Sequence, residues 1–146
     1  MKTHQLSLFV ENRPGRLSAA CRVLAEEGIN LLTLSLADTQ QFGVLRLIVR
    51  DPEKAKRALE AAGHVVKVTE VVAVEVADRP GGLEAVLDVI DRAQINIDYL
   101  YSLTFRRKDR AVLIFRFSDP DAAVRALQSS GVPVVAPDEL YRLVDA

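Results

Sequence analysis

The chain has 146 residues, of which 49% are hydrophobic and 27% are charged, a composition typical of a globular protein. Positive and negative side chains are interspersed and the net charge is −1, so no basic surface for nucleic acid or for an anionic membrane is indicated. The apolar run over residues 6–10 is too short for a signal peptide or a membrane span, and the single cysteine excludes an internal disulfide, so we expect a cytoplasmic protein.

The first half of the chain alternates between strand and helix patterns. Leu6, Leu8 and Val10 alternate as in a strand with one buried face, and apolar residues then recur at helical spacing from Leu17. The predicted elements are a strand over 5–10, a helix from Pro14 to the C-cap Gly28, strands over 31–37 and 44–50, a helix from the cap Asp51 to Gly63, and a strand that begins at Val65.

The second half predicts the same order, with almost no linker before it. Its elements are a strand over 71–76, a helix over 83–90, strands over 97–105 and 111–117, a helix from the cap Asp119 through Gln128, a strand over 132–135, and a short helix capped by Asp138.

The two halves are copies of one unit. Residues 11–17, ENRPGRL, return as residues 77–83, ADRPGGL, and Ile29-Asn30 returns as Ile95-Asn96 at the same spacing of 66 positions. Asp51-Pro52 returns as Asp119-Pro120 at a spacing of 68, so we expect two extra residues in a hairpin over 106–109.

A duplicated βαββαβ unit predicts the α+β class, with two ferredoxin-like domains over residues 1–70 and 71–146. We expect the domains to lie side by side in a continuous antiparallel sheet with the helices on one face. Each half alone is near the lower size limit for an independent core, so the two are expected to stabilise each other.

The proline-glycine turn, the helix and the Ile-Asn pair, present twice, resemble the ACT domain over essentially the whole chain. The resemblance implies a regulatory, allosteric protein that binds an amino acid, requires no cofactor and catalyses no reaction. Because the two domains use the whole sequence, any regulated metabolic enzyme is expected to be a separate polypeptide.

The fold predicts where the asparagines lie. The first and second strands of each repeat run parallel, so Asn12 and Asn30 are expected at opposite ends of one sheet. If the repeats pair along their second strands, Asn12 faces Asn96 and Asp78 faces Asn30, which creates two pockets between the domains. The primary pocket is predicted from Asn12, Arg13, Pro14, Gly15, Arg16, Leu17, Asn96 and Ile97. The secondary pocket is predicted from Asp78, Arg79, Pro80, Gly81, Gly82, Leu83, Asn30 and Leu31.

These pockets suit the two charged groups of a free amino acid. The unpaired N–H groups at a helix start favour a carboxylate, and Asn96 can accept a hydrogen bond from an ammonium group. Asp78 would repel a ligand carboxylate, so we favour the primary pocket. Tyr99 and Tyr101 are candidates for contacts to the ligand side chain, or for packing between the repeats.

Other interpretations of these residues remain open. Asn12 and Asp78 can serve simply as turn formers, and Asn30 and Asn96 can simply tolerate an unusual backbone angle after the helix. Cys21 is interpreted as a packing residue. His4 and His64 lack a partner at ligand spacing, so no metal site is expected.

The residues give weaker support to three other functions. An acylphosphatase-like hydrolase would need a glycine-rich anion cradle, which is absent from the sequence. RNA binding would need aromatic residues on the central strands, and the strand over 44–50 has none. We expect a homodimer, and a protein-interaction module that binds no ligand and acts on a separate enzyme is the stronger alternative function. Its surface would be the sheet face that carries Ser7, Phe9, Arg46 and Ile48.

Overall fold

The computed structural model describes residues 1–38 and 41–145. It divides into two compact units. We call them the N-terminal unit, His4–Thr69, and the C-terminal unit, which comprises Glu70–Ala146 together with Met1–Thr3. The division falls within a single strand, so the chain passes from one unit to the next without a linker.

Both units have the predicted order of strands and helices. The N-terminal unit contains β1 (Thr3–Glu11), α1 (Arg16–Glu26), β2 (Thr33–Asp38), β3 (Phe42–Ile48), α2 (Pro52–Ala61) and the first part of β4 (Val66–Ala77). The C-terminal unit contains the rest of β4, then α3 (Gly82–Arg92), β5 (Ile97–Arg107), β6 (Arg110–Phe117), α4 (Pro120–Ser129), β7 (Val134–Val135) and α5 (Pro137–Asp145). The predicted α+β class with a repeated βαββαβ order is confirmed.

In the N-terminal unit the strand order is β2-β3-β1-β4, and β3 is antiparallel to both of its neighbours. Leu47 lies opposite Leu6 on one side and Leu34 on the other. The apolar side chains of one sheet face pack against the two helices and form the core. Its buried members are Leu6, Leu8, Val10, Ala20, Leu24, Leu45, Leu47, Val49, Ala55, Leu59 and Val66.

In the C-terminal unit the order is β7-β4-β6-β5. Phe115 lies opposite Val72 and Leu100, and its ring stacks on that of Phe117 with centroids 5.1 Å apart. The buried core comprises Val72, Val74, Val76, Val86, Ile90, Leu113, Phe115, Phe117, Ala123 and Leu127. Among the described strands β5 pairs only with β6, and β2 pairs only with β3, so each is an edge strand.

The four main helices begin in two ways. Asp51 caps α2 by accepting a hydrogen bond from the Lys54 N–H at 3.1 Å, and Asp119 caps α4 in the same way. Both caps were predicted. By contrast, α1 and α3 begin after Gly15 and Gly81, which are left-handed and provide no side-chain cap. Glycine adopts this conformation without steric cost.

The second repeat departs from the prediction in three places. The closing strand is two residues long, because the Val132 N–H bonds to Leu127 and Pro133 has no N–H to donate. The last helix begins at Pro137, so Asp138 lies in its first turn and does not cap it. The two extra residues lie in β5 between Ser102 and Arg106, where the register with β6 shifts, just before the predicted hairpin.

The sheet face proposed for protein contacts is less exposed than the sequence indicated. Ile48 is fully buried, and Ser7 and Arg46 are half-buried. Only Phe9 of the four predicted residues is open, with 66% of its surface accessible. In the described part of the chain, no helix is long and apolar enough to cross a membrane.

Candidate functional site

The first turn, residues 11–17, joins β1 to α1 and is here called the Asn12 turn. The backbone N–H of Asn12 donates to the backbone carbonyl of Gln41 at 3.0 Å, which ties the turn to the residue just before β3. Glu11 pairs with the guanidinium of Arg13 at 2.5 Å and lies 3.9 Å from that of Arg16. These arginines are therefore engaged within the turn as well as solvated.

The second turn, residues 77–83, is here called the Asp78 turn and has the same backbone pattern. The backbone N–H of Asp78 donates to the backbone carbonyl of Asp109 at 2.7 Å. This bond is the counterpart of the one made by Asn12. Gly82 replaces Arg16, and a Cβ at this position would lie 1.9 Å from the carbonyl oxygen of Ala77. Helix α3 therefore begins close against the end of its strand, at a distance that only glycine allows.

The strand registers place the asparagines as predicted within each unit. Val10 pairs with Gly43 and Thr33 with Ile48, so Asn12 lies at one end of the N-terminal sheet and Asn30 at the other. Asp78 and Asn96 are separated in the same way in the C-terminal unit. Neither unit alone brings its two residues together.

A cleft of about 380 Å³, here called the N-terminal cleft, opens at the Asn12 turn. Asn12, Arg13, Pro14 and Leu17 of the predicted primary pocket line it together. The remaining lining residues were not predicted from the sequence, and they are Val10, Glu11, Leu36 and Gly43. Gly43 could have been recognised, because a glycine inside a strand often marks a close approach of another group.

At the Asp78 turn, Arg79, Pro80, Gly81 and Gly82 of the predicted secondary pocket line a cleft of about 290 Å³. This cleft also contains Glu75 and Arg110, whose side chains form an ion pair at 3.0 Å. The second turn therefore contributes to a smaller space that already contains its own charge pair.

Asn96 is held by its own unit. Its backbone N–H donates to the Ser118 hydroxyl at 3.2 Å, and its backbone carbonyl accepts from the backbone N–H of Ser118. Its side-chain NH₂ donates to the Asp98 carboxylate at 3.3 Å. After α1 and α3, the residues with a positive φ are Gly28 and Gln94. The interpretation that Asn30 and Asn96 tolerate an unusual angle is therefore wrong.

Several predicted contacts face other parts of the structure. Leu31 and Ile97 are partly buried and pack against the cores of their own units. Tyr99 and Tyr101 lie opposite Arg116 and Ile114, on the sheet face away from the helices. The N-terminal cleft opens on the helix side of its own sheet, where Val10 lies. Leu83 is 37% exposed.

The described side chains offer little for other chemistry. No three histidine, cysteine, aspartate or glutamate side chains among them lie close enough to hold a metal ion. Cys21 is half-buried on α1, as expected for a packing residue. The candidate site is thus a cleft formed by a turn, a helix start and an apolar sheet surface.

Two ferredoxin-like units, each with a proline-glycine turn before its first helix, define a tandem pair of small α+β domains. The chain matches the ACT domain pair family over residues 1–144, and it belongs to that family. The resemblance drawn from the two turns is confirmed.

Among solved structures, the chain is similar to protein BT0572 from Bacteroides thetaiotaomicron. The two are 38% identical, the match covers 97% of this chain and 96% of that one, and the TM-score is 0.89. The regulatory subunit of aspartate kinase from Thermus thermophilus, in its ligand-free form, is 19% identical over 87% of this chain and 91% of that one, with a TM-score of 0.64. The latter shares the fold. Comparison with curated proteins gave no significant match.

Proposed function

We propose that this protein is a regulatory, non-catalytic protein that binds a free α-amino acid at the Asn12 turn. The observation that carries the proposal is the coincidence, in one cleft, of an asparagine, an apolar surface and a helix start without a side-chain cap. The chain caps α2 and α4 with aspartate but leaves the N–H groups at the start of α1 without one. These groups suit a ligand carboxylate.

The ammonium group of the ligand needs a hydrogen-bond acceptor from outside the turn. We propose Asn96 for this role, with its side-chain oxygen accepting from the ammonium group while its NH₂ donates to Asp98. Loss of one such buried partner costs about 1–3 kcal/mol, which is roughly a tenfold to hundredfold loss of affinity.

We propose that a second copy of the chain supplies that asparagine. Strand β2 is an edge strand with Leu34 and Leu36 each 50% exposed, and β5 is the edge strand of the other unit. Open apolar edges favour pairing with another strand. If β2 pairs antiparallel with β5 of a second copy, Asn96 of that copy lies beside the Asn12 turn. The reciprocal pairing closes a two-fold dimer.

Regulation follows if the ligand favours one arrangement of the subunits over another. The Thermus thermophilus protein, whose ACT-like fold this chain shares, is named as a regulatory subunit of an enzyme. We propose that this protein likewise acts on a separate metabolic enzyme in the cytoplasm.

Thermal unfolding of the full chain with each of the common amino acids tests the proposal. A ligand at 100 times its Kd adds about 2.7 kcal/mol, which raises the Tm by about 5–10 °C. We expect a selective shift that Asn12→Ala and Asn96→Ala each weaken. Asn30→Ala is the matched control, because Asn30 lies at the other end of its sheet and the shift should persist. A shift retained in full by Asn12→Ala would contradict the site.

A protein-interaction role without a ligand is the second candidate. It is favoured by Phe9, Phe42 and Val65, which are 66%, 45% and 77% exposed and line a further cleft of about 460 Å³ in the N-terminal unit. Contiguous exposed apolar side chains of this kind mark contact surfaces. This candidate predicts that none of the amino acids shifts the Tm.

A further inference from the structure

The floor of the N-terminal cleft is apolar, and no side chain fills it at Gly43. Val10 is 6% exposed and lies directly opposite Gly43 in the ladder between β1 and β3. Residues directly opposite in a ladder face the same side, so Gly43 faces the helix side with Val10. Leu36 on the edge strand β2 forms the outer wall and is half exposed.

Gly43 keeps this floor open. A Cβ at this position would lie 2.9 Å from the Cδ1 of Leu36 and 3.5 Å from the carbonyl oxygen of Ala37. Among the described residues it is the one glycine inside a strand. A side chain here would occupy part of the cleft or displace the end of Leu36 into it.

The equivalent place in the C-terminal unit is built differently. Ala111 lies opposite Val76 at the register position of Gly43, and Ser102 lies opposite Leu113 where Leu36 lies opposite Leu45. Asp78 takes the place of Asn12 at the turn. The positions equivalent to Asn12, Leu36 and Gly43 are thus an aspartate, a serine and an alanine, and none of the three lines the cleft at the Asp78 turn.

We infer that the N-terminal cleft selects an amino acid with an uncharged aliphatic side chain of the size of valine, leucine, isoleucine or methionine. Gly43 and Leu36 set this specificity. The Asp78 turn does not bind the same ligand, so each chain binds one molecule. The inference rests on the proposed function, because it assumes that the ligand carboxylate and ammonium groups are held at the Asn12 turn.

The physical basis is the difference in burial between side chains. Each methylene placed on an apolar surface improves binding about fourfold, so leucine should bind roughly 50-fold tighter than alanine. A charged side chain on the apolar floor loses its hydration, and the two charged residues that line the cleft, Glu11 and Arg13, are already paired with each other. Aspartate and lysine should therefore bind more weakly than alanine.

Isothermal titration of the full chain with L-leucine, L-alanine, L-aspartate and L-lysine tests the inference. We expect one leucine per chain and the stated order of affinities. Gly43→Ala should lower the leucine-to-alanine affinity ratio about tenfold by filling the floor. Ala111→Gly is the matched control, and it should leave the ratio unchanged.

Leu36→Ser provides a second variant on an exposed side chain, in case Gly43→Ala disturbs folding, and it should also lower the ratio. The specificity inference is overturned if aspartate or lysine binds as tightly as leucine, if both variants keep the ratio, or if two equal sites titrate per chain. In those cases amino-acid binding itself would stand. If none of the common amino acids binds, the proposed function fails as well.

Discussion

Gln94 occupies a backbone conformation for which the first repeat uses glycine. Its φ is +57°, and Gly28 at the equivalent position has a φ of +68°. A left-handed residue with a side chain costs about 1–2 kcal/mol, because its Cβ approaches the following carbonyl oxygen. The second repeat therefore carries a local strain that the first avoids.

We expect Gln94→Gly to raise the free energy of unfolding by roughly 0.5–1 kcal/mol, since relief of strain exceeds the added entropy of an unfolded glycine. The reciprocal change, Gly28→Gln, should lower it by about 1–2 kcal/mol. Nothing lies within 4 Å of a Cβ at Gly28, so the effect is one of strain alone. Urea denaturation measures both. Equal stability of Gln94→Gly and the parent protein would speak against strain at this residue.

At the residue scale the sequence located the turn but not the floor of the cleft. Asn12 and Pro14 were identifiable because the motif occurs twice. Gly43 and Leu36 were missed, because the predicted strand began at Val44 and because an apolar residue on a strand is ordinarily assigned to a core. Their role depends on which strand forms the edge, a property of the assembled sheet.

The close packing of α3 against the end of β4 is the main difference between the two strand-to-helix junctions. A Cβ at Gly82 would overlap the carbonyl oxygen of Ala77 at 1.9 Å, whereas Arg16 holds a full side chain at the equivalent position. Backbone atoms cannot rotate away as a side chain can. The junction in the second repeat therefore has less room to adjust.

We expect Gly82→Ala to destabilise the protein by about 1–3 kcal/mol, because the helix must move away from the strand. The matched variant Arg16→Ala should change stability by less than about 1 kcal/mol, since it removes only an exposed contact to Glu11. Chemical denaturation of both variants provides the comparison. A neutral Gly82→Ala would mean that the junction adjusts more easily than its geometry indicates.

At the element scale most of the structure was predictable, for local reasons. The helices beginning at Asp51 and Asp119 are defined by a cap followed by proline. The errors fell where two signals compete. Pro133 removes a ladder donor from a run that otherwise resembles a strand, and Pro137 takes the first helical position ahead of Asp138.

At the scale of the whole molecule, the N-terminal residues belong to the C-terminal unit. Met1–Thr3 group with it, and Lys2 bridges Glu70 at 2.7 Å and Asp121 at 3.0 Å. The hydrogen bonds to Glu70 and then to Asp121 raise the pKa of the Lys2 ammonium above 10.5. The first residues of the chain are thus fixed to the second repeat.

This bridge makes part of the stability depend on pH. Because the folded pKa of Lys2 is raised above 10.5, its contribution is complete below that pH and is lost as the pH rises through the folded pKa. We expect Lys2→Met to be less stable than the parent protein at pH 8, with the difference shrinking above pH 10.5. Urea titrations at both pH values measure it. A difference that stays constant would exclude the ion pairs as its source.

The whole-molecule prediction succeeded for the fold because a duplication is visible in any sequence that retains its turns. The pairing of the second strands stays a prediction. Periodicity defines which residues face a core, but two edge strands carry the same pattern whether they meet within a chain or between chains.

The contact between Gly82 and Ala77 also limits how far the two halves are interchangeable. A Cβ at position 82 would lie 1.9 Å from the carbonyl oxygen of Ala77, so the arginine of the equivalent position 16 does not fit there on the present backbone. A second repeat that carried the first repeat's turn sequence would therefore need the start of its helix to move away from the strand. Conversion of the Asp78 turn into a copy of the Asn12 turn therefore requires a shift of the backbone as well as the exchange of side chains.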